Sequence, residues 1–499
     1  MIRLYDTKSR EKRDFVPVNG NKVGMYVCGP TVYNYIHIGN ARTFISFDTI
    51  RRYLMFRGYD VTFVQNVTDV DDKIINKARE EGRTAAEVAQ EFTEAFIEDM
   101  RAAGVLDPDI RPKATEEIDT MINLVQKLID KGHAYEVDGD VYFAVRSYDG
   151  YGQLSGRNID EMETGHRELR ADGQGLEDRK RDPLDFALWK AAKPGEPSWT
   201  SPWGEGRPGW HIECSAMSEK YLHLPFDIHG GGADLAFPHH ENERAQSEAA
   251  CGCTFSNYWM HGGMLQINSE KMSKSLGNFL LLRDVLKTTK PAVLRMLMLQ
   301  THYRSPLDFS DERLKEAEAA LCRVSNCIKN ISWIIQNPAA EANEWDRDGY
   351  ARAYTAMRKG FIEAMDDDFN TAGALGCIFS FIAEANTILQ DAQIAAEEIE
   401  SLQVSIDSII ELMGVLGITL ECDECNCAED ADELVVLANK FTGSCLTSAQ
   451  EATIALLERR ASARKEKDFA TADAIRDALT ELGYMIEDTP QGARLSKND

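Results

Sequence analysis

The chain predicts an α/β fold: a Rossmann-like parallel-sheet domain split by an insertion, then an α-helical bundle and a small C-terminal domain. Three observations carry this. A strand–helix–strand pattern opens the chain, breaks over 120–208, and resumes at Pro225-Phe226-Asp227-Ile228-His229. After Pro306 the pattern turns helical to about Gly417, with long amphipathic segments and few β-branched runs. The sequence is long enough at 499 residues for two to four domains.

Lys22-Val23-Gly24-Met25-Tyr26-Val27-Cys28 reads as a buried strand stopped by Gly29-Pro30. From Ile38 to Gly58, Phe44, Phe47, Ile50 and Leu54 recur at helical spacing. Asp60 to Val67 is a second strand and Val70 to Glu81 a second helix, which together make a parallel βαβ unit. Gly-Pro-Thr before the first helix lacks GxGxxG, so a dinucleotide site is disfavoured. Over 120–208, charge runs, Pro194-Gly195-Glu196-Pro197 and three tryptophans (Trp189, Trp199, Trp203) predict an irregularly packed insertion. A further helix is expected to open near Pro238, since proline is tolerated in a first turn. The expected segments are therefore 1–119 and 209–253 for the two halves of the first domain, with 120–208 inserted, then 254–315. The helical bundle covers 316–420, and 421–499 holds an acidic loop to about 433 and a final helical region from about Leu434 with an extended tail.

Composition sets the setting. No stretch approaches the roughly 20 apolar residues of a membrane span, and Met1-Ile2-Arg3 leads into no signal-peptide pattern. Eleven scattered cysteines read as reduced thiols with a possible metal site, so a cytosolic, non-membrane protein is expected; a monomer is taken as the expectation without a residue pattern that decides it. The net charge of −27 argues against a nucleic-acid partner until its distribution is read. Lys271 to Arg304 holds seven Lys or Arg and one acid, Asp284; between Lys359 and Lys440 there are eighteen acids and no basic residue. One face can meet phosphates and another repels them.

Two motifs carry nucleotide chemistry. Lys271-Met272-Ser273-Lys274-Ser275 places two lysines among small residues where they can neutralise polyphosphate. His37-Ile38-Gly39-Asn40 sits where a strand turns into a helix, and a helix N-terminus attracts phosphate. His37 and Asn40 are the expected donors to the α-phosphate. Gly230-Gly231-Gly232-Ala233-Asp234 follows a strand and offers a carboxylate able to accept from ribose hydroxyls, although glycine runs before Asp are also common turns. The two motifs together resemble the signatures of class I aminoacyl-tRNA synthetases.

In Pro238-His239-His240-Glu241-Asn242-Glu243, His239 and Glu243 stand four apart on one helical face, a usual way to present two metal ligands. Cys28 and Cys214 are candidates for the remaining pair, but spacing alone does not join such distant positions. Tyr26-Val27-Cys28-Gly29-Pro30-Thr31-Val32-Tyr33, Gly209-Trp210-His211-Ile212-Glu213-Cys214-Ser215-Ala216-Met217 and Phe237-Pro238-His239-His240-Glu241-Asn242-Glu243 closely resemble the cysteinyl-tRNA synthetase family. The resemblance runs over nearly the whole chain. It implies one Zn²⁺ per chain on Cys28, Cys214, His239 and Glu243, with the substrate thiolate bound to it, and Mg²⁺ accompanying ATP. It further implies an amino-acid pocket lined by Gly29, Thr68 and Trp210, and a position near the nucleotide for Lys73, beside the contacts already expected of Asp234, Lys271 and Lys274. Asn40 stands where the family more often has His. Such a metal separates cysteine from serine by ligand chemistry, which shape alone achieves only about a hundredfold; no editing domain is demanded.

Arg459 to Lys467 holds five basic residues against one acid on an expected helix, which by default is a solvated face. Ala463 to Asp473 and Glu487-Asp488-Thr489-Pro490-Gln491-Gly492 resemble the family's anticodon-binding module, so Arg464, Asp473 and Asp488 are implied to read tRNA(Cys) bases. Cys422, Cys425 and Cys427 form a CxxCxC cluster without a fourth ligand at the usual spacing, and Cys251 and Cys253 read as ordinary packing. The implied activity is cysteine–tRNA ligation from L-cysteine and ATP. Its rivals are an ATP-dependent ligase joining cysteine to an aminoglycoside, which lacks the terminal module, a methionyl-tRNA synthetase, which calls for a paired CxxC knuckle, and a non-catalytic zinc- or RNA-binding protein.

Overall fold

Two short antiparallel strands, β1 (Arg3–Asp6) and β2 (Glu11–Asp14), precede the first buried strand, β3 (Lys22–Val27). The computed structural model describes residues 1–158, 179–268, 270–271, 279–340, 343–420, 431–489 and 492–497. They form two units: Met1–Leu321 with Lys359–Ile378 and Glu411–Thr419, and Cys322–Arg358 with Phe379–Ile410 and Leu420–Asp499.

From β3 the chain enters helix α1 (Ile38–Phe56) and returns through β4 (Asp60–Val64), the expected βαβ unit. Helix α1 is buried on most of its faces, with Phe44, Phe47, Ile50 and Leu54 inside as the periodicity requires. Asp71 caps α2 (Asp72–Glu81), and left-handed Gly82 ends it. Two more helices follow, α3 (Ala85–Ala102) and α4 (Ile118–Asp130).

The insertion is not irregular. Strands β5 (Ala134–Val137), β6 (Asp140–Phe143), β7 (Phe186–Ala191), β8 (Trp199–Ser201) and β9 (Gly204–Pro208) form an antiparallel sheet in the order β5-β6-β7-β9-β8. Its strands are only three to six residues long, and residues 159–178 fall between β6 and β7, so no run was long enough to show period-two alternation. Phe143 stacks on Phe186 at 5.1 Å, and Trp189 is fully buried beside Trp203.

Helix α5 (Ile212–Leu222) leads to β10 (Phe226–Gly232), where the α/β pattern resumes as expected. The helix foreseen near Pro238 begins as a distorted turn over Ala236–His240, with Phe237 extended, and becomes regular only in α6 (Glu241–Cys251). Strand β11 (Ser256–Gly262) completes a four-stranded parallel sheet in the order β11-β10-β3-β4. From β3 the chain crosses to one side and from β10 to the other. Their C-terminal ends therefore open the crevice where such sheets bind ligands.

Beyond it lie a three-stranded sheet of β12 (Leu265–Ile267), β13 (Glu270–Lys271) and β14 (Leu307–Phe309), and helices α7 (Leu282–Val285) and α8 (Pro291–Leu299). The helical region follows as expected: α9 (Asp311–Gln336), α10 (Arg347–Asp366), α11 (Thr371–Leu389) and α12 (Glu400–Val415). Helix α11 corrects one expectation: its 19 residues reach a mean hydropathy of 1.5, so by length and composition it could span a membrane. Ala374, Leu375, Ile378, Phe381, Ile382 and Ala385 are buried within the fold, as in a core helix.

The last region holds α13 (Ala431–Thr442), α14 (Ala449–Lys465), α15 (Phe469–Glu481) and a hairpin of β15 (Tyr484–Thr489) and β16 (Gly492–Lys497). Leu434, Leu456, Ile475, Leu479 and Tyr484 form its core. Its first helix starts at Ala431, inside the segment expected to be loop; Cys422, Cys425 and Cys427 lie outside the described residues. Cys251 and Cys253, expected to be reduced, are joined in a disulfide around left-handed Gly252 at the end of α6. A sequence separation of 2 is enough for this, since the turn brings their Cα atoms to 5.4 Å.

Candidate active site and metal centre

The crevice at the ends of β3 and β10 gathers the four expected metal ligands. Cys28 follows β3, Cys214 lies in the first turn of α5, and His239 and Glu243 flank the start of α6. All four are at most 5% exposed. The two Sγ atoms are 3.6 Å apart, Cys28 Sγ lies 3.4 Å from Glu243 Oε1, and Cys214 Sγ lies 3.6 Å from His239 Nε2. A tetrahedral ion with the usual Zn–S and Zn–N bonds separates its ligands by roughly 3.3–3.8 Å. These three separations fit; His239 Nε2 and Glu243 Oε1, at 2.9 Å, are drawn closer as an ion pair. Two thiols, an imidazole and a carboxylate, converging without solvent, are a donor set for a borderline-soft divalent cation.

Electrostatics are arranged for metal binding. Burial opposes a thiolate at Cys214, but hydrogen bonds with Cys28 and His239 bring its pKa to about 6. Burial and the neighbouring Cys214 push the Cys28 thiol well up. Glu243 is held well below the usual carboxylate range, because His239 and His229 outweigh its burial.

A second layer of histidines escaped the sequence reading. His229 Nε2 meets Glu243 Oε2 at 2.8 Å, and His240 Nε2 lies 3.3 Å from Cys28 Sγ. His240 Nδ1 in turn meets His261 Nε2 at 2.8 Å, and the Thr7 hydroxyl meets His261 Nδ1 at 2.8 Å. Burial keeps both His240 and His261 neutral, His261 down to about 3. Such partners orient ligands and fix tautomers. Their only trace in the sequence was the second His of the His239-His240 pair and isolated histidines in β10 and β11.

The three residues expected around the amino acid sit at this same crevice. Trp210 is half-exposed and stacks on the His239 ring at 4.4 Å. Gly29 donates its N–H to Asn66 Oδ1, and a Cβ there would lie 1.7 Å from the Asn66 carbonyl oxygen, so only glycine fits. The Thr68 hydroxyl donates to Glu213 Oε2 at 2.6 Å. Glu213 is buried with its pKa well raised, by burial first and then by Cys214, and was also missed.

At the start of α1, His37 Nδ1 accepts from the Asn40 N–H, and the His37 N–H donates to Asn40 Oδ1. Asn40 is thus the N3 half of a capping box whose N-cap is His37, its side-chain oxygen taking the place that Glu or Gln usually fills. Because Nδ1 accepts, the ring proton lies on Nε2. The chain beyond the lysine motif returns onto this turn: Ile38 N–H donates to the Leu280 carbonyl, Leu282 N–H to the Ile36 carbonyl, and the Phe279 ring packs on His37. Lys271 ends β13, while Lys274 lies outside the described residues. Lys73, exposed in the first turn of α2, reaches over the Tyr33 ring at 5.4 Å. Asp234 is exposed in the short turn after β10.

The three residues implied to read RNA bases lie on separate elements: Arg464 at the end of α14, Asp473 in α15 and Asp488 in β15. Asp473 is paired with Arg476 at 3.0 Å in solvent.

Residues 14–319 match the class I (C) tRNA synthetase catalytic domain, 360–421 the DALR domain, and 448–494 the cysteinyl-tRNA ligase anticodon binding domain. The cysteine–tRNA ligase of Geobacillus thermodenitrificans is 50% identical over 494 residues, covering 99% of this chain and 98% of that one. The chain belongs to the cysteine–tRNA ligase family. It is accordingly a class I aminoacyl-tRNA synthetase, an enzyme of the ligase class. The family's member from Maridesulfovibrio salexigens is likewise 50% identical, over 497 residues and 99% of each chain. The fold is shared more widely: Mycobacterium tuberculosis methionyl-tRNA synthetase in complex with methionyl-adenylate aligns with a TM-score of 0.59 at 16% identity, over 80% of this chain and 92% of that one. With an anticodon binding domain matched at 448–494 and full-length cysteine–tRNA ligase relatives, the cysteine–aminoglycoside ligase reading is not favoured.

Proposed function

We propose that the chain activates L-cysteine with ATP to cysteinyl-adenylate and transfers it to the terminal adenosine of tRNA(Cys). The observation that carries this is the buried Cys28, Cys214, His239 and Glu243 set at the end of β3, the strand from which the chain runs on to the helix capped by His37 with Asn40 in its first turn. When bound there, Zn²⁺ supplies a soft site that takes the substrate thiolate and leaves serine's alcohol behind.

The chain's own residues do the rest. Trp210 walls the crevice and Gly29 leaves room beside Asn66, while Thr68, steadied by Glu213, faces the substrate. With its proton on Nε2, His37 donates to the α-phosphate as the substrate carboxylate attacks in line and pyrophosphate leaves. Asn40 holds that imidazole through the capping box and keeps its Nδ2 as a donor. Lys271, Lys274 and Lys73 offset phosphate charge, with Mg²⁺ accompanying ATP, and Asp234 takes the ribose hydroxyls. The terminal ribose hydroxyl of tRNA then attacks the mixed anhydride, so no side chain need act as a covalent nucleophile. Arg464, Asp473 and Asp488 meet anticodon bases. A cytosolic monomer completes this reading.

ATP–pyrophosphate exchange tests it with cysteine, serine and methionine, with and without a chelator. Exchange is expected with cysteine alone and lost on chelation. Chelator-resistant exchange, or exchange with serine, would overturn the metal's selective role.

A further inference from the structure

Arg42 lies two residues beyond Asn40 on α1 and is 2% exposed. Burying a guanidinium is costly, and nature usually offsets it with a carboxylate. Here no carboxylate among the described residues does so; burial alone lowers its pKa, to about 10, and the group stays charged. Four backbone carbonyls take that place. Nη1 donates to Gly263 at 3.0 Å and Met264 at 2.8 Å, and Nη2 to Ser305 at 2.5 Å and His302 at 3.5 Å.

Those carbonyls belong to two segments that converge on one strand pair. Gly263 and Met264 run into β12, and 302–305 run into β14, which pairs with β12 in parallel register. On its other edge β12 pairs with β13, whose last residue is Lys271, the first of the lysine motif. The two segments touch so closely that a Cβ on Gly263 would lie 2.5 Å from the Ser305 carbonyl oxygen. The far root of the motif is held separately, by the bonds of Leu280 and Leu282 to residues 36–38. Helix α1 thus grips both roots: the far one through its first turn, the near one through Arg42.

We propose that Arg42 is a positioning residue for adenylate formation, one buried guanidinium setting the helix that begins at His37 against the strand that leads into Lys271. The proposal rests on the reading of the chain as an adenylate-forming ligase. Arg42 touches no reacting atom. It fixes the separation of two groups that act on the same triphosphate, and displacing such groups by about 1 Å costs on the order of a hundredfold in rate.

The test is ATP–pyrophosphate exchange by full-length wild type, Arg42→Lys and Arg42→Ala, with cysteine KM, metal content and thermal midpoint measured on each. Arg42→Lys keeps the charge and should fold; its kcat is expected to fall about tenfold, with cysteine KM and metal content unchanged. Arg42→Ala is expected to fall about a hundredfold, and millimolar guanidinium ion should restore some of that loss. Wild-type kcat in either folded variant overturns the proposal. So does a loss shared equally by cysteine KM and metal content, which would mean general loosening; if Arg42→Ala fails to fold, Arg42→Lys decides alone. No exchange by the wild type would instead remove the ligase reading beneath it.

Discussion

The metal centre and the C-terminal module handle charge in opposite ways. At the centre, His239 and Glu243 pair at 2.9 Å with side chains almost wholly buried. In the module, Asp473 and Arg476 pair at 3.0 Å with both side chains more than half exposed. The first arrangement costs desolvation and returns a fixed donor set; the second costs little and stabilises little. Chemistry on a thiol needs the former, because ligands must be held before the ion arrives. On the proposed reading, base recognition in the module would use the latter, since exposed groups can exchange one partner for another.

The largest effect should come from Cys214→Ser, which removes a buried thiolate ligand: zinc content and cysteine-dependent exchange should fall together, by about a thousandfold for exchange. Retained zinc in that variant would break the contrast at its strongest point. Asp48→Ala tests buried charge away from the crevice. Arg295 sits against Asp48 at 2.6 Å, both nearly inaccessible, and losing the carboxylate should destabilise folding by about 3–5 kcal/mol in denaturant melts. Lys274→Ala should slow exchange on the order of a hundredfold while zinc stays bound. Arg464→Ala should weaken tRNA charging about tenfold and leave exchange intact; equal loss of both would contradict a role confined to the module. Smallest of all, Arg476→Ala should change stability by less than about 0.5 kcal/mol, and a larger shift would show that the exposed network does more than solvate.

Much of this was legible where sequence pattern and structure are both local. The strands from Lys22 and Asp60 and the helix from Ile38 declare themselves by periodicity, and the lysine and His37 motifs by composition. Cys28 and Cys214 are another matter: they stand far apart in sequence, and only family resemblance drew them together before the sheet order explained why they meet. His229, His240 and His261 were silent because a hydrogen bond to a ligand leaves no spacing rule in the chain. Arg42 was silent for a related reason, since its partners are carbonyls and any residue supplies those. The insertion was misread because its short strands pair across a gap that no window spans. Asn40 departs from the family's commoner His, and in the structure it shares a capping box with His37.

One consequence of the strand order concerns birth rather than chemistry. The seam between β3 and β10 joins Met25 to Ile228, residues roughly two hundred apart. A ribosome adding about 5–20 residues per second takes roughly 10–40 s to cover that distance. Throughout that interval β3 has β4 beside it and an open edge on its other flank, the kind of edge to which stray strands add. The nascent chain therefore carries Cys28 through nearly all of that interval before Cys214 is made, and past its end before His239 and Glu243 follow.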